Sequence, residues 1–272
     1  MRLRRAAAAA AAGLVLTATA ACQDPVPGAA PGHLRIGIAT DQPGLSVKSG
    51  DGYLGFDIDV ATYVAKRLGY NDIRFVPAPP AQRAYLLTTG QVDLVVAAYS
   101  MTDRTADRVT FAGPYLNVGQ SLLVRAGSRI ADPGDLAGNT VCTLAGSTSA
   151  QVLIDRFPGV RLQVNDSYAA CPRRLLAGSA DAISGDDIVL AGIAAQPEYA
   201  DRLRRVDTTF AAQRYGIALP KGDLDLCRRV NDALTTMVDS GAWRRAADAC
   251  RAAHVDRVAV VANDVGPRYD GP

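Results

Sequence analysis

The sequence is poor in the residues on which much enzyme chemistry relies. Among 272 residues there are 2 histidines, 1 tryptophan and 5 cysteines, and aromatic residues make up only 6%. The histidines, His33 and His254, stand at the two ends of the part that reads as folded, so no imidazole is placed to serve as a general acid or base. Charge of one sign is missing too. Lys and Arg number 29 against 27 Asp and Glu, a net charge of +2, and no basic cluster with interleaved aromatics occurs. That excludes the electrostatic footprint of a nucleic-acid binder, and no nucleic-acid partner is expected. Beyond the N-terminal stretch, no apolar run is long enough to span a bilayer.

What is present is a composition of 49% hydrophobic and 21% charged residues, which suits a chain with two modest cores. Arg2, Arg4 and Arg5 precede an apolar Ala/Leu/Val run that ends near Ala21, so residues 1–21 read as a secretory signal peptide. Thr19-Ala20-Ala21-Cys22 resembles a lipobox, and Cys22 is the expected lipidation site. Residues 22–32 are rich in Pro and Gly and read as a spacer from the membrane. The expected location is the extracytoplasmic face of the cell membrane, held by a lipid anchor.

Four cysteines remain once Cys22 is assigned to lipid, and in an exported chain they favour disulfides. Three pairings are possible. A helical hairpin over about 223–253, turning at Ser240-Gly241, brings Cys227 level with Cys250. That leaves Cys142, on a strand, to pair with Cys171, at a helix start. The preferred pairing is therefore Cys142–Cys171 and Cys227–Cys250.

From Leu34 onward, strands and helices alternate, which predicts parallel sheets flanked by helices. The strand Val92–Ala98 is apolar except at Asp93 and ends in Tyr99, Ser100, Thr102 and Arg104. In open α/β sheets, small ligands bind outside the carboxyl ends of such strands. Pro114–Val118 breaks the pattern, and a second unit of the same kind follows, with strands near 120–125, 139–144, 160–164 and 180–184. Its last strand ends in Gly185-Asp186-Asp187. Two similar lobes with polar strand ends point to one ligand held between them. Residues 255–272 read as a loose tail.

The motifs Asp41-Gln-Pro-Gly-Leu45, Gly55-Phe-Asp-Ile-Asp-Val60, Ala81-Gln-Arg83, Gly90-Gln-Val-Asp93, Tyr99-Ser100, Phe111-Ala-Gly-Pro-Tyr-Leu116, Gly146-Ser-Thr148 and Tyr215-Gly-Ile217 occur in order over about 34–250. In these the chain resembles the polar amino-acid family of ABC-transporter solute-binding proteins, particularly the glutamate/glutamine-binding lipoproteins. The resemblance implies an α/β, two-lobed periplasmic-binding-protein-like fold of type II with two hinge strands. Lobe 1 would span 33–113 plus 217–254 and lobe 2 would span 119–211, with hinges at 114–118 and 212–216. It also implies a monomer that needs no cofactor or metal, carries no catalytic residue, and hands a free amino acid to ABC permease transmembrane subunits.

A free amino acid needs a guanidinium for its α-carboxylate and a carboxylate for its ammonium. In similar proteins an arginine stands where this chain has Thr105. Arg104, with Arg108 as neighbour, is expected to replace it. Asp186 is the expected ammonium partner, with Asp41 second, and Arg83, which matches an arginine of the acidic amino-acid binders, is by that resemblance the candidate for a side-chain carboxylate. Gly146, Ser147 and Thr148 offer amides and hydroxyls at a strand-to-helix turn. The expected ligand is glutamate, then glutamine or aspartate. The rivals are a dehydratase on the same fold and an amino-acid sensor.

Overall fold

The computed structural model describes residues 32–254. The signal peptide over 1–21, Cys22, the spacer up to residue 31 and the 255–272 tail lie outside the described residues. In chain order the elements are β1 (His33–Ile38), β2 (Asp41–Gln42), β3 (Ser46–Ser49), β4 (Gly52–Leu54), α1 (Phe56–Arg67), β5 (Asp72–Pro77), α2 (Arg83–Thr88), β6 (Leu94–Val95), α3 (Asp103–Ala106), β7 (Thr110–Arg125), β8 (Thr140–Leu144), α4 (Thr148–Arg156), β9 (Arg161–Asn165), α5 (Cys171–Leu176), β10 (Ala182–Asp186), α6 (Asp187–Ala194), β11 (Leu203–Arg205), β12 (Ala211–Leu219), α7 (Leu224–Asp239) and α8 (Ala242–His254).

The main sheet runs β5-β1-β6-β12-β7-β10-β8-β9, with β11 added to β7, and β2-β3-β4 form a separate small sheet. Pairing is parallel toward both ends, β1 with β5 and β6, and β8 with β9 and β10. It is antiparallel in the middle, where β12 and β7 run side by side. The molecule is thus two parallel α/β halves joined by two long antiparallel strands.

Local chemistry accounts for the helices that hold the first half. In α1, Ile58, Ala61, Val64 and Ala65 are buried on one stripe, as is Leu68 just beyond its end. In α7, the Asp223 side chain accepts from the Leu226 N–H, and Val230, Ala233, Leu234 and Met237 are buried. Trp243 of α8 donates its indole N–H to the Tyr115 carbonyl at 2.8 Å and meets the Phe56 ring edge-on at 5.6 Å. The C-terminal hairpin is thereby fastened to the middle of β7.

Three expectations are corrected. The strand read over Val92–Ala98 is buried along most of its length, but only Leu94–Val95 pairs as a strand. Ala98 turns into the left-handed region at φ 47°, and its N–H goes to the Asp57 side chain instead of a neighbouring strand. Pro114 does not end a strand, because β7 runs through it as one 16-residue element. The register with β12 shifts between Tyr215 and Ile217, so Gly113, Pro114 and Tyr115 lie opposite Gly216 in a bulge. A residue without an N–H is tolerated at such a place.

Of the two disulfides, Cys142–Cys171 is formed, with Cα atoms 5.7 Å apart. Cys227 and Cys250 do not form the second. The hairpin presents their sulfurs to different neighbours: the Cys227 thiol donates to the Phe111 carbonyl at 3.3 Å, whereas the Cys250 Sγ lies against Gly44.

Alkylation of unfolded, unreduced protein is expected to modify Cys227 and Cys250 and to leave Cys142 joined to Cys171; a peptide linking Cys227 to Cys250 would contradict this placement. Replacing both Cys142 and Cys171 by serine is expected to lower stability by about 3 to 4 kcal/mol in urea unfolding, for a loop closed across 29 positions.

Candidate functional site

A cleft of about 270 Å³ lies between the two halves. Of the residues singled out in the sequence, Arg83, Tyr99, Ser100, Arg104, Gly146, Ser147, Thr148 and Asp186 line it together. Asp41 and Thr102 do not.

Arg83 opens α2 and is only 5% exposed. Its Nε donates to the Ala78 carbonyl at 3.3 Å and its Nη1 to the Ala98 carbonyl at 3.4 Å, and the guanidinium lies 5.2 Å from the centre of the Tyr99 ring. Arginine carries five N–H donors, so three stay available on the Nη1/Nη2 fork that suits a carboxylate. Burial pulls its pKa down, opposed by the nearby Tyr99 and Asp57; an arginine stays a cation through such a shift.

Beneath this wall sits Asp57, which the sequence reading passed over as a site residue. Its side chain accepts from the Ala98 N–H at 2.7 Å and the Tyr115 hydroxyl at 2.9 Å. Burial pushes its pKa up to about 6, against the pull of those two donors and of Arg83. The signal was present in the helical spacing. Asp57 falls on the same stripe as Ala61, Val64 and Leu68, where a carboxylate has no place unless it is used.

Across the cleft, Asp186 ends β10 and precedes α6 without capping it through its side chain. Its Oδ2 accepts from the Tyr215 hydroxyl at 2.5 Å, while Oδ1 is buried with no donor. Burial raises its pKa to about 7, opposed by the Tyr215 hydrogen bond. Of the neighbouring turn, the Ser147 hydroxyl caps α4, accepting from the Ala150 N–H at 3.1 Å. Gly146, at φ +71°, brings its backbone so close to Ala81 that a Cβ would lie 2.8 Å from the Ala81 Cα.

Thr105, at the position expected to need an arginine, is a local brace. Its hydroxyl donates to the Ser100 carbonyl at 2.9 Å and accepts from the Thr102 N–H at 2.9 Å. The Thr102 hydroxyl is occupied in the reciprocal cap of α3, and Thr102 is not part of the cleft wall. Arg104 and Arg108 both reach the cleft, and Arg104 also donates from Nη1 to Oε1 of Gln151 on α4. Asp41 stands outside the cleft because its Oδ2 accepts from the Tyr168 N–H at 2.6 Å, a bond from one half to the other. A Cβ on Gly192 of α6 would come within 2.2 Å of the Pro43 carbonyl oxygen, so here too the halves touch backbone to backbone. Besides Asp57, sequence reasoning missed Gln42 and Tyr168 on the cleft wall and the Tyr215 hydroxyl that supports Asp186.

The chain matches the model of the bacterial extracellular solute-binding proteins, family 3, over residues 34–249. It is similar to the glutamate-binding protein GluB of Corynebacterium efficiens, 36% identical over 226 residues that cover 79% of this chain and 77% of that one. It is also similar to the ABC transporter glutamine-binding protein GlnH of Bacillus subtilis, 31% identical with 76% and 77% covered. Among solved structures, an ancestral arginine-binding protein bound to glutamine superimposes with a TM-score of 0.75 at 31% identity, covering 80% of this chain and 97% of that one. The chain belongs to the extracellular solute-binding proteins of family 3, the polar amino-acid-binding proteins of ABC transporters with a type II periplasmic-binding-protein fold, and it is a binding protein and not an enzyme.

Proposed function

We propose that the protein captures glutamate, and with lower preference glutamine or aspartate, between its two halves and delivers it to the transmembrane subunits of an ABC importer. The observation that carries this reading is the charge on the cleft wall: three guanidinium groups, Arg83, Arg104 and Arg108, against one carboxylate, Asp186. Two carboxylates and one ammonium are the complement of that set. The ammonium would go to Oδ1 of Asp186, an acceptor without a donor. The two carboxylates would be shared between Arg83 and the Arg104/Arg108 side. The glutamate-binding relative supports the same ligand. In this reading 33–113 plus 217–254 and 119–211 are the moving bodies, 114–118 and 212–216 are the hinges, and lipidated Cys22 holds the protein at the outer face of the cell membrane.

Calorimetric titration with glutamate, glutamine, aspartate and asparagine is expected to rank glutamate first; no heat with any of the four would reject the reading. Arg83→Ala is expected to weaken glutamate about tenfold to a hundredfold, from the loss of a charge-assisted pair worth roughly 1.5 to 3 kcal/mol.

Asp186 must be ionised to hold an ammonium. With its pKa raised to about 7, glutamate affinity is expected to climb about tenfold per pH unit below 7 and to level above it, and Asp186→Asn should flatten that slope. The unliganded protein is expected to behave in the opposite sense. Both Asp57, at about 6, and Asp186, at about 7, have folded pKa values above the ordinary 3.8. Their contribution to stability is complete below about pH 4 and is lost as pH rises through 6 and 7. Thermal unfolding of Asp57→Asn against the parent protein between pH 4 and 8 measures this, and an unchanged pH slope would contradict it.

A further inference from the structure

Gln42 is a buried cleft residue, 4% exposed, whose side-chain Oε1 has no donor. Its backbone is fixed: the carbonyl accepts from the Leu45 N–H at 3.0 Å, and the residue pairs with Ser46 across β2 and β3. A side-chain amide buried with an unused acceptor costs stability unless a ligand completes it. Gln42 also stands beside the candidate side-chain anchor. The cleft and an adjoining cavity of about 200 Å³ share Gln42, Pro80, Arg83 and Leu144, so these residues form the end wall of the cleft.

The two groups on that wall differ in what they read. Arg83 only donates, and therefore accepts as partner either a carboxylate or the oxygen of a carboxamide. A glutamine side chain offers an N–H₂ on one side and an oxygen on the other, and exchanges them by turning about its last bond. Resting on the amino-acid-binding function proposed above, we infer that Gln42 is a specificity-determining residue that reads the end of the ligand's side chain. It donates to the carboxylate of glutamate, or turns and accepts from the amide N–H₂ of glutamine. The pair Arg83 and Gln42 then admits both ligands, with the acid favoured by the charge on Arg83.

The test is calorimetric titration of glutamate and glutamine into the parent protein, Gln42→Glu and Gln42→Met, with thermal unfolding of each variant to confirm folding. In Gln42→Glu the second carboxylate repels glutamate and still accepts from an amide. Glutamate is expected to weaken about a hundredfold and glutamine less than tenfold, which reverses the preference. Gln42→Met conserves volume and removes both the donor and the acceptor. Here glutamine is expected to weaken about tenfold more than glutamate, because its N–H₂ is left unpaired while Arg83 still holds the acid. Parent-like glutamate-to-glutamine ratios in both variants would overturn the role of Gln42 while leaving the binding function intact. A parent protein that binds neither ligand would overturn both.

Discussion

The site depends on one buried carboxylate. Asp57 joins three parts of the first half that are far apart in sequence: the first turn of α1, Ala98 on the cleft wall and Tyr115 in the long strand β7. Ala98 is held at φ 47°, a conformation that costs a non-glycine residue about 1 kcal/mol or more. Its N–H is fixed by Asp57, and its carbonyl accepts from Arg83. The same Tyr115 accepts the Trp243 indole through its backbone carbonyl. Cleft wall, bridging strand and C-terminal hairpin therefore converge on a charge that has no water to turn to. Removing one partner from such a buried group typically costs about 3 to 5 kcal/mol, which is why the cleft wall behaves as part of the core.

The contacts between the halves are of a different kind. They include Asp41 with the Tyr168 N–H, Arg104 with Gln151, and the close approaches at Gly146 and Gly192. Hydrogen bonds of this sort contribute roughly 0.5 to 1.5 kcal/mol each, enough to define how the halves meet and too little to hold them shut alone. In the proposed function, a ligand pairing Arg83 in one half with Asp186 in the other would add its binding energy only when both are within reach, and would shift the population toward closure by that difference. Arg83 keeps unused donors and Asp186 an unused acceptor, as that proposal requires.

Much of this was legible in the chain. The alternation of strands and helices and the polar ends of the strands near Tyr99 and Asp186 follow from periodicity and from residue chemistry at strand ends; Arg83 was marked by the family resemblance, and the Cys142–Cys171 pair was reached by elimination from a Cys227–Cys250 pair that does not form. What escaped has physical reasons. The short pairing of β6 depends on the conformation of Ala98, which a partner 41 positions away imposes. Pro114 reads as a breaker because a proline lacks an N–H, and only the bulge opposite Gly216 in another strand makes it acceptable. Cys227 and Cys250 are near each other along the hairpin, but a disulfide needs matching directions as well as matching levels. Thr102 was read as a ligand residue because hydroxyls at a strand end suit a ligand equally well as a helix cap, and here the cap took it. Asp57 carried a readable signal, a carboxylate on an apolar stripe, to which the sequence reading assigned no role.

The central claim is that one small molecule bridges Asp186 and Arg83 across the cleft. A crystal structure of the protein grown with glutamate tests it most directly. The ligand ammonium is expected within about 3 Å of Asp186 Oδ1 and a ligand carboxylate on the Nη1/Nη2 edge of Arg83. An amino acid bound with its ammonium away from Asp186, or with neither carboxylate on Arg83, would contradict it.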